Sequence, residues 1–287
     1  MPPAERSGAR VPPASSLDVD LVVNVFERSY RSVLRDGFFP SIEAQNLRSF
    51  SRKVALINNV KDVADAVAKA ESIRSRGDID EYHLVSRCLD DALTATGLRR
   101  RELGRLVHYS DCALVAITIP GSDWLVYWDA EVRLERPTDW VGPAIGLLER
   151  DGRVLVANPA WQGLAEAGAA AGARDDLFEL DYGFSDQLFL ARRSDLRRPI
   201  YRWNCPASLR YPLAHVAPVF EQRVDAYMRW HRLLRATYLG AVYTHPEPAG
   251  ATYRPRTVPE RLRWWRNRAI LRALGALRFR HPVLKVP

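Results

Sequence analysis

Two carboxylates stand side by side where an apolar run ends: Asp129 and Glu131 in YWDAEVRL (127–134), reached through GSDWLVYW. In a β-strand, side chains two apart share a face, so both acids leave the core together. Charges that close raise each other's energy unless something positive intervenes. A metal ion, an arginine such as Arg133 or Arg136, or bulk water would each relieve the pair. Hard oxygen ligands of this kind suit Mg²⁺ or Mn²⁺.

The pair has to be held by the elements around it, and the pattern before it repeats. LDVDLVVNVFER (17–28) and KVALINNV (53–60) are apolar, β-branched runs with polar ends, and each precedes a helical stripe. The first stripe carries Tyr30, Val33 and Leu34; the second carries Val63, Ala66, Val67 and Ala70, with Asp62 as N-cap and Gly77 as stop. Residues 81–98 read as a further helix. RLVHYSD (105–111) reads as a third strand, CALVAITIP as a short helix closed by Pro120, and DWLVYWDAEV (123–132) as a fourth strand. Strands alternating with helices imply a mostly parallel sheet flanked by helices. In such a sheet, ligands bind beyond the carboxyl ends of the strands. The polar ends Asn24–Arg28, Asn58–Asn59, His108–Asp111 and Asp129–Glu131 are therefore expected to meet along one edge. The second half adds a helix and strand in PAIGLLERDGRVLVANPAW (143–161) and a small-residue stretch, Gln162–Gly172. It continues with a glycine-led strand in DYGFSDQLFLARRSDL (181–196), a helix at Val219–Leu234 and a last strand, ATYLGAVYTH (236–245).

At 287 residues, 47% hydrophobic and 26% charged, the chain has the composition of a globular protein. Its net charge of +8 is unevenly placed. From Ala251 onward there are ten Arg or Lys against one acid, Glu260, which leaves 32 basic and 33 acidic residues before it. Residues 1–16 are expected to be a disordered tail without a leader sequence, 17–250 a single α/β domain, and 251–287 a basic amphipathic tail. In that tail Trp, Leu and Ile mixed with Arg suit an anionic membrane surface better than nucleic acid. Three scattered cysteines show no zinc spacing and suggest a reducing compartment. The expected location is cytoplasmic, with the tail able to associate with the inner membrane face. No GxGxxG or GxxxxGK[ST] is present, which argues against ordinary dinucleotide and P-loop sites.

Taken in order, these features resemble the GT-A fold (Rossmann-like), and in particular family 2-like nucleotide-sugar glycosyltransferases. VVNVFERSY stands where that family ends its first strand, with Phe26, Glu27 and Arg28 as the nearest matches. NNVKD stands at the second strand end, with Asn58 and Asn59 in place of paired acids. Asp129-Ala130-Glu131 matches the Asp-x-Asp signature, with a second carboxylate one methylene longer. YGFSDQLFLARR matches the glycine-led strand through Gly183, FEQRVDAYMRW offers Glu221 as base, and VYTH offers His245 to complete the metal site.

The resemblance implies a metal-dependent glycosyltransferase of hexosyltransferase type. It would move a sugar from a nucleotide-diphosphate donor to a hydroxyl acceptor (a glycan, a lipid-linked acceptor or a small molecule), inverting the anomeric centre if a single displacement applies. Asp129, Glu131 and His245 are then the expected ligands of Mn²⁺ or Mg²⁺. Phe26, Glu27, Asn58, Asn59, Asp111 and Asp129 are expected around the nucleotide-sugar, although Asn and Asp at such positions also cap helices. Glu221 is the expected general base, with Asp186 its rival. An acid in a first helical turn equally suits the helix dipole. Trp203, Arg202 and Tyr211 are candidates to stack on an acceptor sugar, and His215 is a spare ligand. Two rival functions remain. A nucleotidyltransferase would carry a Gly-rich basic loop that FERSYRSVLRDG lacks. A non-catalytic sugar- or lipid-binding protein is compatible with the substituted Asn58–Asn59.

Overall fold

The run VDLVVNV forms the first strand, β1 (Val19–Val25), and all but one of its residues are buried. Its side chains alternate between two apolar layers, Leu21, Val23 and Val25 in one and Val22 in the other. A strand covered on both faces is what a near-continuous β-branched run encodes. A computed structural model describes residues 17–162, 173–175, 177–246 and 254–276. The expected N-terminal tail and almost all of the Gln162–Gly172 stretch lie outside the described residues.

Short helices α1 (Tyr30–Val33) and α2 (Phe38–Asn46) follow β1, and β2 (Arg52–Ile57) then pairs with it in parallel. Helix α3 (Val63–Ser75) starts where expected: the Asp62 side chain accepts from the Asp65 N–H at 3.0 Å. It stops at Gly77, whose φ of +81° glycine adopts without steric cost.

The third strand is not RLVHYSD. It is EYHL, β3 (Glu81–Leu84), which leads directly into α4 (Val85–Thr96). Val107–Tyr109 is instead a 3₁₀ turn before α5 (Asp111–Thr118). The helical periodicity of residues 85–96 extends back in sequence over β3 and conceals it. The fourth strand, β4 (Trp124–Asp129), pairs with β1 in parallel and brings Asn24 level with Asp129; it stops short of the expected Val132, so Ala130 and Glu131 stand in a turn and not on a strand face.

Beyond β4 the sheet changes direction. The remaining elements are β5 (Arg133–Leu134), α6 (Val141–Arg150), β6 (Val154–Trp161), β7 (Ala173–Asp175), β8 (Phe178–Asp181), β9 (Leu188–Arg192), α7 (Arg193–Leu196), α8 (Phe220–His231), β10 (Leu234–Thr244) and α9 (Val258–Ala276). The strand order is β3-β2-β1-β4-β9-β6-β10-β8-β7, with β5 on β10. The block β3-β2-β1-β4 is parallel, β9 runs antiparallel between β4 and β6, and β10 is parallel to β6. Helices flank both faces. Phe39, Trp128, Trp140 and Ile145 fill one layer; Leu89, Tyr127, Phe189, Phe220 and Met228 fill the other. Each such side chain contributes roughly 1.5–3 kcal/mol by leaving water. This single α/β domain has the arrangement that the resemblance to the GT-A fold implies.

The opposite end of the sheet is tied by charge. Asp20, buried in β1, accepts from Arg193 and Arg52, each at 2.8 Å. Arg193 also donates to the carbonyls of Ser122 and Ala116. Gly121 makes room for this contact, because a Cβ there would lie 2.1 Å from both Arg52 Nη2 and Asp20 Oδ2.

Candidate active site

Register places the acids. Val25, Ile57 and Leu84 end β1, β2 and β3 nearly level, and Asn24 lies opposite Asp129. The residues at and just beyond the ends of β1, β2 and β4 line a cavity of about 340 Å³. Phe26, Glu27, Asn58, Asn59, Asp129, Glu131, Asp186 and His245 all line it, so eight of the ten sequence-expected site residues meet in one place. Asp111 and Glu221 sit behind the wall.

Asp129 is positioned from both sides. Its Oδ2 accepts from Asn24 Nδ2 at 3.1 Å, its Oδ1 accepts from the Glu131 N–H at 2.9 Å, and its own N–H donates to the Gln187 carbonyl at 2.7 Å. His245 reaches these acids because β10 bends. Its pairing with β6 slips between Tyr238 and Val242, at a Gly240 whose absent Cβ would lie 2.8 Å from the Tyr238 ring. The end of β10 then pairs with β5, Tyr243 with Leu134 and Thr244 with Arg133. Because β5 begins two residues after Glu131, this pairing delivers His245 to the carboxylates. Its Nε2 lies 3.6 Å from Asp129 Oδ1 and 4.0 Å from Glu131 Oε2.

The three residues offer ligand atoms that all lie within 4.8 Å of one another. Two carboxylates and an imidazole, all partly open to the cavity, form a donor set suited to Mn²⁺ or Mg²⁺. The arginine that meets this pair is Arg28, at 3.4 Å from Glu131 Oε2. Arg133 instead donates to the carbonyls of Ala130 and Val132.

Asp186 also lines the cavity, next to Gln187, whose carbonyl accepts from the Asp129 N–H. The Asp186 N–H donates to Glu221 Oε1 at 3.1 Å, and Glu221 stands in the first turn of α8. Burial and the neighbouring Glu221 carboxylate push the Asp186 carboxyl well above the usual carboxylate range. Glu221 is also raised, chiefly by burial. The two rival bases are thus one pair: Asp186 faces the cavity and Glu221 backs it. Tyr211, read as a sugar-stacking candidate, is buried and fixes this loop instead. Its hydroxyl accepts from the Phe184 N–H and donates to the Phe184 carbonyl, both at 2.9 Å. His215, the spare ligand, is buried away from the cavity, with its carbonyl accepting from Arg263.

The strand-end asparagines conceal an acid. Asn58 Nδ2 donates to Asp111 Oδ1 at 2.8 Å, and burial raises the Asp111 carboxyl to about 6. Glu27 Oε2 accepts from the Lys61 N–H at 2.8 Å, and Asn59 adopts a left-handed backbone, φ +49°. His108 and Tyr109 line the wall, as expected of the His108–Asp111 stretch, and Tyr127 and Gln187, which no sequence pattern marked, line it too. His108 and Tyr109 pack ring to ring at 4.6 Å, and burial lowers the His108 pKa. They reach this wall from a 3₁₀ turn and not from the end of a strand.

No family model matches the sequence, and no curated protein does. Among solved structures, the chain is similar to GalNAc-T7 with UDP, GalNAc and Mn²⁺, at 13% identity and a TM-score of 0.49, over 88% of this chain and 48% of that one. It thus spans about half the length of that protein. It is also similar to glucosyl-3-phosphoglycerate synthase from Mycobacterium tuberculosis with Mn²⁺, UDP and phosphoglyceric acid, at 12% identity and a TM-score of 0.46, over 99% of this chain and 85% of that one. A mycobacterial protein is similar at 14% identity and a TM-score of 0.45, over 85% and 74% of the two chains. Likenesses at this level transfer neither substrates nor residue roles to this chain.

Proposed function

We propose that the protein is a metal-dependent glycosyltransferase that moves a sugar from a nucleoside-diphosphate donor to a hydroxyl acceptor. The observation that carries this reading is the joining of two parts in one cavity: the Asp129–Glu131–His245 ligand set and Asp186 backed by Glu221.

Asp129, Glu131 and His245 would hold the divalent ion, with Asn24 orienting Asp129. The bound ion would offset the charge of the leaving diphosphate. Phe26, Glu27, Asn58 and Asn59 line the side assigned to the nucleoside, with Asp111 holding the Asn58 amide. His108 and Tyr109 offer rings on that wall against which a base can stack. Asp186 takes the proton of the acceptor hydroxyl as its oxygen bonds to the anomeric carbon. The bond from that carbon to the diphosphate oxygen breaks, and its electron pair leaves with the nucleoside diphosphate. Attack opposite the leaving group inverts the anomeric centre. Glu221 keeps Asp186 basic by opposing a second negative charge beside it.

The test is a thermal-shift screen of nucleoside diphosphates with and without Mn²⁺ on the full chain. One base should stabilise the protein in a metal-dependent way, and the matching nucleotide-sugar should then be turned over. Binding of no nucleotide under any metal condition would sink the reading.

A further inference from the structure

The basic C-terminal segment is not a loose appendage over its described residues. Thr257 and Glu260 form a capping box at the start of α9: the Glu260 N–H donates to Thr257 Oγ1 at 3.3 Å, and Glu260 Oε2 accepts from the Thr257 N–H at 3.4 Å. Glu260 is buried and bound by Arg105 through two bonds, 2.6 and 3.0 Å. One turn further on, Arg263 donates to the His215 and Val216 carbonyls, and Asn267 is buried. Glu260, Arg263 and Asn267 share one helical face, so that face is held on the domain.

The opposite face is thereby fixed outward. Val258, Leu262 and Trp265 follow one another at helical spacing and are 64, 66 and 61% exposed. Ala269 and Ala273 continue the stripe and are exposed as well. Arg261, Arg268 and Arg272 flank it on one side and Arg266 on the other, all exposed. Glu260 is the only acid from Ala251 onward and is engaged with Arg105, so the outer face of α9 carries apolar and cationic side chains and no acid of its own. Arg266 also lines a pocket of about 300 Å³ together with Arg101, Glu102 and Arg263.

We propose that α9 is an interfacial anchor that lays its Val258–Leu262–Trp265 stripe into an anionic lipid surface, with the flanking arginines on the lipid phosphates. Apolar side chains at headgroup depth, bordered by arginines that reach back to the phosphates, are what such a surface binds. No helix among the described residues is long and apolar enough to cross a membrane, so the contact is with one leaflet. This proposal stands independently of the transferase reading.

The full chain should co-sediment with phosphatidylglycerol-containing vesicles and not with pure phosphatidylcholine vesicles, and binding should weaken as salt rises. The double variant L262E/W265E should lower vesicle affinity at least tenfold without moving the thermal midpoint, because both side chains are exposed. Replacing Arg261, Arg268 and Arg272 with alanine should weaken binding and flatten its salt dependence. The proposal is overturned by absence of anionic-vesicle binding, by a double variant that binds as well as the parent, or by preferential binding of duplex DNA or RNA. A concentration-dependent dimer that L262E/W265E abolishes, in a chain that ignores vesicles, would also overturn it.

Discussion

Asn24 and Asp129 face each other across β1 and β4, and the Asn24 amide donates to Asp129 Oδ2 at 3.1 Å. An uncharged donor from the neighbouring strand holds the carboxylate without neutralising it. Asp129 is thus positioned while its charge stays available to a cation. Asp129→Ala should abolish metal-dependent stabilisation by a nucleoside diphosphate. Asn24→Ala should weaken Mn²⁺ affinity about 10- to 100-fold, as loss of a group that orients a metal ligand does. Isothermal titration with Mn²⁺ in the presence of nucleotide checks both, and equal affinities in Asn24→Ala and the parent would remove the positioning role.

The Asp186–Glu221 pair sets an acid limit on turnover. Asp186 must be ionised to act as base, and burial with Glu221 raises its pKa. The rate should therefore fall as pH drops through a value well above the ordinary carboxylate range. Glu221→Gln removes the opposing charge, so the Asp186 pKa falls and the acid limb moves to lower pH. A pH–rate profile of the variant that is superimposable on the parent would show that the two carboxylates do not communicate.

Asp111 makes stability depend on pH. Its folded-state pKa of about 6 exceeds the ordinary value of 3.8 because burial penalises the charge. A raised pKa favours the folded state fully below about pH 4, and this contribution is lost as pH rises through about 6. A shift of this size corresponds to about 3 kcal/mol. Asp111→Asn should flatten the stability profile between pH 4 and 7, measured by urea denaturation across that range.

Glu260 works in the opposite sense. Arg105 and the backbone N–H groups of Arg256 and Thr257 hold its carboxyl down to about 2. A depressed pKa stabilises the docked helix above about pH 4.5, and this contribution is lost as pH falls towards 2. Hydrogen exchange of α9 should accelerate over that window while β1 and β4 stay protected, and Glu260→Gln should show the faster exchange already at neutral pH.

Asp20 tests the far end of the sheet. Removing its charge leaves Arg193, 2% exposed, without its carboxylate partner. Breaking a buried pair in this way costs about 3–5 kcal/mol. Asp20→Asn should show that loss in chemical denaturation without altering metal-dependent nucleotide binding at the opposite edge.

Local pattern was enough for much of this architecture. The apolar runs of β1, β2 and β4 can bury both faces only as inner strands of a sheet. Asp62 and Gly77 bound α3 because a cap and a left-handed stop act within a few residues. Asp129 was legible as the polar end of an apolar strand, but strand periodicity is not what sets Glu131 beside it: the chain turns at Ala130–Glu131, and the Glu131 N–H donates to Asp129 Oδ1. Distance in sequence hid the rest. EYHL (81–84) is too short to show a period of its own beside the helix that follows, and the turn at Val107–Tyr109 is set by what packs around it. Nothing local says that Asp186 and Glu221, 35 residues apart, form one pair, or that Asn58 rests on Asp111. His245 reaches Asp129 only because β10 bends at Gly240 and pairs with β5. Residue types and local periodicity determine strands, caps and the acid at the end of β4; the meeting of Asp129, His245 and Asp186 depends on strand register and on the slip in the β10–β6 pairing, which are properties of the assembled sheet.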